Sequence, residues 1–322
     1  MPQAKGANAI IGYQVESTYA ADPGTPDLTK LYFVTESLRL NRELLQSNII
    51  QSSRNPTAPS LGKHAVAGQI ATELQAYIGY LLKGILGAAT YSVPTHTLKV
   101  GASVPSFTIE KGFTDITTPK YFKYSGCKVN KASLKVRPEG PQELTLDFIG
   151  AKETVGTSTF DATPTDLGLS KFLGFNIAAI TEGGVAIAIV TEADIDIENN
   201  LDGNVYCINT AAPGVRRSLP EGKVRVSGKL TALFEDDTLY AKAIAGTESA
   251  LVVTYTLGTG AGTAGNEQLV ITVPELVYSP NAPVVSGPAG LLVELPFEAY
   301  YGNDAGASTM IMTLKNTQAS MA

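Results

Sequence analysis

One series of residues appears twice in this chain, in the same order and about 160 positions apart. Gly62-Lys63-His64-Ala65-Val66-Ala67-Gly68-Gln69-Ile70 is matched by Gly222-Lys223-Val224-Arg225-Val226-Ser227-Gly228-Lys229-Leu230, both of the form G-K-x-x-V-x-G-x-[I/L]. Upstream, Thr35-Glu36 with Leu38, Leu40 and Leu44 lines up with Thr191-Glu192, or one residue later, followed by Ile195, Ile197 and Leu201. Downstream, Tyr80, Ile85 and Gly87 match Tyr240, Ile244 and Gly246, and Gly140-Pro141 with Leu144 and Leu146 matches Gly287-Pro288 with Leu291 and Val293. The separation is 157 between Leu38 and Ile195 but 160 between Gly62 and Gly222, so about three residues were gained between those points. Two units of this length are too few and too long for a solenoid. They read as a gene-duplicated pair of domains, 1–160 and 161–322.

A chain of 322 residues has room for two domains that each bury a core. With 24 basic and 30 acidic residues it carries a formal charge of −6, which excludes a basic nucleic-acid clamp. The cysteines, Cys127 and Cys207, stand at non-equivalent positions in the two halves. That spacing argues against a disulfide framework and suits folding in a reducing cytoplasm, with both thiols as small core or interface hydrophobes. The N-terminus lacks an apolar signal core, and runs such as Gly183 to Val190 are too short to span a bilayer, so a soluble protein without a membrane partner is expected.

Alternation of apolar and polar residues marks half-buried antiparallel strands at Leu38–Asn41, Ser133–Val136, Glu143–Phe148, Asp194–Glu198, Lys223–Val226 and Leu291–Phe297. Each half also holds one short helix. Ile78, Leu81, Leu82, Ile85 and Leu86 have helical spacing before a stop at Gly87. A second helix starts at Asp236 or Asp237, runs through Leu239, Tyr240, Ala243 and Ile244, and stops at Gly246. The expected fold is mainly β (α+β): two tandem β-sandwiches or open barrels, each with one flanking helix.

Between the paired strands of each half lies a long turn-rich segment, Ser47–Leu61 and Gly203–Glu221. Hairpin loops of this length are normally functional or disordered, and prolines within them lower the entropy lost on ordering, which favours an arm over a floppy loop. Both read as interaction arms. Thr154–Gly168, rich in Gly, Thr and Ser, has the composition of a domain linker.

In sequence order, Gly12-Tyr13-Gln14-Val15-Glu16-Ser17-Thr18-Tyr19, Phe33-Val34-Thr35-Glu36-Ser37-Leu38, Ser47-Asn48-Ile49-Ile50 leading to Arg54, and Gly62-Lys63 through Val66 and Gly68 to Glu73 resemble a tail tube protein of long-tailed phages. The second half keeps the hairpin, the arm arginines Arg216 and Arg217, the helix and the closing strands, and lacks the Tyr-Gln-Val-Glu-Ser-Thr-Tyr opening. The resemblance implies β-sandwich subunits whose inner sheets join into rings. Stacked rings form the hollow tube through which the genome leaves the virion. Rings in this family commonly hold six single domains, so three chains of two domains each would close the same ring. The partners it implies are the protein itself, a tape measure protein, a tail terminator and distal tail proteins, with double-stranded DNA passing through without specific binding. Assembly is expected in the host cytoplasm, and the final location in the virion tail. The arms would join ring to ring through Asn48, Arg54, Asn55, Pro56, Asn209, Arg216 and Arg217.

If these sheets line a channel, strand parity assigns its wall. Ile195 and Ile197 point into the core, so Asp194, Asp196 and Glu198 point away, as Arg39, Asn41 and Glu43 do opposite Leu38 and Leu40. Gln69 and Glu73 oppose Val66 and Ile70, and Arg225 and Lys229 oppose Val226 and Leu230. A wall that must release DNA should avoid net positive charge. Replacing the three acids by Lys is expected to leave stability nearly untouched.

No catalytic or cofactor constellation emerges. His64 and His96 stand in separate segments without a nearby cysteine, and there is no G-x-S-x-G, H-E-x-x-H or P-loop. Gly258–Gly265 lacks the following helix and lysine of a phosphate cradle and reads as a flexible hairpin loop. Alternate acids on one strand do not converge on a metal. Two other classes remain open: the inner tube of a contractile injection device, and, weakened by the absence of Trp, a carbohydrate-binding β-sandwich module.

Overall fold

The structure, a computed structural model, describes residues 3–285, 287–288, 290–302 and 306–321. The first half contributes strands β1 (Ala9–Val15), β2 (Thr29–Lys30), β3 (Thr35–Glu36), β4 (Arg39–Asn41), β5 (Leu44–Leu45), β6 (Ser60–Leu61) and β7 (Ala65–Glu73), then helix α1 (Gly79–Leu86). It continues through β8 (Gly87–Ser92), β9 (Thr95–Val100), β10 (Phe107–Phe113), β11 (Lys120–Val136), β12 (Glu143–Gly150) and β13 (Lys152–Gly156). The second half contributes β14 (Ile177–Glu182), β15 (Val185–Ala186), β16 (Val190–Glu198), β17 (Arg225–Leu233), helix α2 (Thr238–Ala245), β18 (Ser249–Thr256), β19 (Gln268–Tyr278), β20 (Leu292–Ala299) and β21 (Ile311–Lys315). The expected mainly β architecture is present, and both helices lie where their periodicity puts them, ending at Gly87 and at the left-handed Gly246.

In the first half one layer runs β4–β7–β12–β11 and the other β2–β1–β10–β11–β13. Strand β11 serves both, because it pairs with β10 up to Cys127 and with β12 from Lys128 onward. The corner between them sits at Gly126 (φ 70°) and is pinned by Glu16, 7 % exposed. Its carboxylate accepts from Gly126 N–H (2.8 Å), Ser106 Oγ (2.7 Å) and Thr108 Oγ1 (2.8 Å), which offsets the cost of burying the charge. The second half repeats the first layer as β16–β17–β20–β19 and the second as β14–β18–β19–β21.

The repeated V-x-G has the same physical reason in both halves. A Cβ on Gly68 would lie 2.5 Å from Leu38 Cα, and one on Gly228 would lie 2.1 Å from the Asp194 carbonyl oxygen, so only glycine lets the two strands of the hairpin approach there. Phe148 faces Gly68 and Phe297 faces Gly228 across the next strand pair. The first glycine of the motif also acts alike, since Gly62 N–H donates to Glu43 O (2.8 Å) and Gly222 N–H to Asn200 O (3.1 Å).

The two halves do not keep separate sheets. One apolar cluster extends from Ile11 to Met321, and hydrogen bonding links nineteen strands of both halves. Hairpin β8–β9 leaves α1 and crosses to pair with β21 of the second half, Ile311 to Lys99 through Lys315 to Thr95. The C-terminal segment makes the return journey: Asn316 Nδ2 donates to Ala76 O (2.6 Å), and Lys83 Nζ to Met321 O. The expected linker is correspondingly not a free tether. Thr154–Gly156 belong to β13, Phe160 N–H donates to Glu110 (2.8 Å), and buried Asp161 accepts from Leu28 N–H (2.8 Å). Cys127 is a core thiol, which burial pushes well above its ordinary pKa, whereas Cys207 is exposed on the second arm.

Candidate assembly interface

The internal seam is the first candidate element. The last strand of the first inner layer pairs with the first strand of the second, β11 with β16, in register from Lys131 opposite Glu198 to Val136 opposite Ala193. The result is one eight-position antiparallel wall, β4–β7–β12–β11–β16–β17–β20–β19. Leu38, Val66, Ile70, Leu146, Leu134, Ile195, Ile197, Val226, Leu230 and Phe297 all turn to the core side with exposures of 2 % or less.

Period-two geometry therefore puts the polar partners on the opposite face. Arg39, Asn41, Gln69, Glu73, Asp194, Asp196, Glu198, Arg225 and Lys229 are brought together there, as their strand parity requires. Glu43 is not among them; it lies beyond β4, and its backbone carbonyl closes the base of the first arm. The face is laced by ion pairs that no single strand pattern announces. Asp194 pairs with Arg137 (2.7 Å), Glu198 with Lys131 (3.3 Å), Asp196 with Lys131 (3.7 Å), and Lys229 with Glu294 (3.3 Å). On these strands Glu73, Glu143, Asp147, Glu192, Asp194, Asp196, Glu198, Glu294 and Glu298 outnumber Arg39, Lys131, Lys135, Arg225 and Lys229, with Arg137 and Lys171 reaching in from the flanks. The surface is net acidic. It also corrects the expectation that replacing Asp194, Asp196 and Glu198 by Lys is neutral, since all three carboxylates hold cations across the seam.

At the first end of the wall the pairing stops. The outer side of β3–β4 faces no strand among the described residues; Leu38 O is capped by Lys111 Nζ (3.1 Å) and Leu40 N–H by Glu153 (3.4 Å). At the far end β19 pairs with β20 over Leu276–Tyr278 and with β18 as far as Leu276 opposite Ser249, and the chain continues through exposed Val284 and Val285. The helices show the same asymmetry. In α1, Ile85 is 1 % exposed beneath second-half residues, with Asn199 Nδ2 donating to its carbonyl (3.1 Å), whereas the matching Ile244 of α2 is 62 % exposed.

The two arms also differ. The first projects, with Asn48, Arg54, Asn55 and Pro56 exposed beyond a two-stranded β5–β6 stem. The second folds back on the first half. Tyr206 Oη donates to His64 O (2.8 Å), His64 N–H to Gly214 O (2.8 Å), and Lys63 Nζ lies 4.6 Å from the centre of the Tyr206 ring. Leu201 and Leu219 pack on Tyr19, Val104 and Ile149. Burial opposes ionisation of Glu221, but Lys128 Nζ (2.6 Å) and Val104 N–H (3.0 Å) hold its carboxyl below the usual range. Asn209 and Arg217 remain exposed, yet Arg216 is 6 % exposed and donates to Gly203 O (2.7 Å) and to Gly150 O. Arg216 is thus a strut inside the chain and not a group at the arm surface.

Residues 6–299 match a protein-family model described as phage tail tube protein. The chain belongs to that family. None of the curated proteins compared with it matches significantly. As a tail tube protein it is a structural component of a phage tail that self-assembles into a tube. No described helix is long and apolar enough to cross a membrane.

Residue patterns left out the ion-pair partners Lys131, Lys135 and Arg137 of this tail tube protein, and the crossing hairpin β8–β9. Alternation in Thr95–Val100 marks a strand. Nothing local names β21 as its partner.

Proposed function

We propose that three copies of this chain close a ring of six inner-sheet units, with true threefold and approximate sixfold symmetry, and that stacked rings form a tube whose lumen passes DNA. Each half, 1–160 and 161–322, would supply one unit as the product of an internal duplication. One observation carries the reading: the β11–β16 seam already joins two units edge to edge, and the outer side of β3–β4 at the start of the wall faces no strand among the described residues. Closing the ring covers that edge and removes a template for aggregation. The net acidic face would form the lumen, where cations neutralised in local pairs offer phosphates little to bind. The exposed tip of the first arm, from Asn48 to Pro56, suits contact with the next ring, while a tape measure protein inside and terminator and distal proteins at the ends follow from family likeness. Electron microscopy of purified protein should show rings or tubes, and native mass measurement of single rings should give three chains. Six chains per ring would sink the trimer reading.

A further inference from the structure

We infer that the base of the first arm clasps the second half of the neighbouring chain in the same ring, so that the arm is a lateral fastener at its base and reaches the next ring only with its tip. This rests on the ring reading above.

The template is inside the chain. The second arm leaves the hairpin β16–β17 and lies back on the half that precedes it, with Leu201 (9 % exposed) and Leu219 (2 %) packed beside Ile149 and Arg216 bonded to Gly150 O at the end of β12. The first arm leaves the equivalent hairpin, β4–β7, and no half among the described residues lies beneath it. Its stem residues Leu44, Leu45 and Leu61 are 62 %, 52 % and 59 % exposed. By the 157-residue separation Leu44 corresponds to Leu201, so this apolar position is repeated and left uncovered, joined in the first arm by Leu45 and Leu61 where the second has Asp202 and Glu221.

The seat follows from strand register. Phe148 and Phe297 each face the V-x-G glycine, which makes Gly150 equivalent to Ala299. At that place the second half carries Tyr300 and Tyr301, 38 % and 52 % exposed, where the first half has Ala151 and Lys152. Aromatic rings there supply the apolar area that Tyr19, Val104 and Ile149 supply within the chain. The rotation that carries the first half onto the second, applied once more, brings a neighbour's stem to this seat. The occupant is a second copy of the chain.

The test uses full-length protein with exposed Cys207 replaced, C207S, and the pair Leu44→Cys and Tyr300→Cys, treated with a short bis-maleimide after assembly. Lateral clasps give covalent ladders that stop at the number of chains counted in one ring. Ladders that run on past that number place the stem against another ring and overturn the inference, as does assembled protein without cross-links. A parent protein that forms no rings overturns the ring reading itself, so the two failures are distinct. Independently, L44D with L61D should leave a folded monomer and cut ring yield about tenfold or more, because each buried leucine contributes of that order to an interface. Unchanged yield would also overturn the clasp.

Discussion

Charge reversal on the acidic strand β16 provides a quantitative test of the seam. Asp194, Asp196 and Glu198 are each about one-third exposed and hold Arg137 and Lys131 across the joint between the halves. Partly exposed pairs contribute about 0.5 kcal/mol each, so D194N/D196N/E198Q should lower the unfolding free energy by about 1.5 kcal/mol. Lysine at all three positions does more than remove pairs. In register, residue 194 faces Lys135 and Lys229, and residue 198 faces Lys131 and Arg225, so attraction becomes repulsion of similar size and the loss rises to about 3 kcal/mol. The chain has no Trp, so urea unfolding followed by circular dichroism is the suitable assay. A lysine triple within 0.5 kcal/mol of the parent would refute the reasoning that these carboxylates work across the seam. The two variants also separate stability from transport: phage assembled with the lysine form should eject DNA more slowly, at low salt above all, while the amide form should not.

Further outcomes follow from single residues. Arg216→Ala takes the side-chain donor from the buried carbonyl of Gly150 and the part-buried carbonyl of Gly203 and should cost about 1–3 kcal/mol, with faster amide exchange across the second arm; exchange confined to the parent rate would rule out the strut. Gly228→Ala sets a methyl 2.1 Å from the Asp194 carbonyl oxygen and should cost about 1–3 kcal/mol by thermal unfolding, against a small effect at Gly287, where a Cβ meets nothing. His96 is fully buried on β9, stacked on Tyr91 at 4.4 Å. Burial pushes its pKa below the ordinary 6.5, only partly countered by the Gln318 backbone and the Asn316 side chain. The folded state therefore binds fewer protons than the unfolded one, and stability should fall as pH drops below 6.5. H96F should flatten that limb of the curve, and an unaltered slope would assign the pH dependence elsewhere.

Local order was largely legible without coordinates. The alternation in Asp194–Glu198 forces Ile195 and Ile197 to one side and the acids to the other whatever the strand packs against, and the glycines at 87 and 246 end their helices for reasons of backbone geometry alone. The repeated V-x-G likewise marked the two hairpins, because a close strand approach excludes any Cβ at Gly68 and Gly228. The stem leucines and Arg216 were present in the arms as residue types, but their fates could not be read there. Burial depends on what lies beyond the chain segment: the second arm finds the first half beneath it, and the stem leucines of the first arm stay exposed among the described residues. The same holds for Ile85 and Ile244, which match in sequence and differ completely in exposure. Pairing partners such as β9 with β21, and cations such as Arg137 beside Asp194, arise from contacts between residues more than fifty positions apart. Periodicity is a property of neighbours along the chain and so was determined by the sequence alone; which edges are joined, which are capped and which are left open is a property of the whole packed object, and only the tertiary structure decided it.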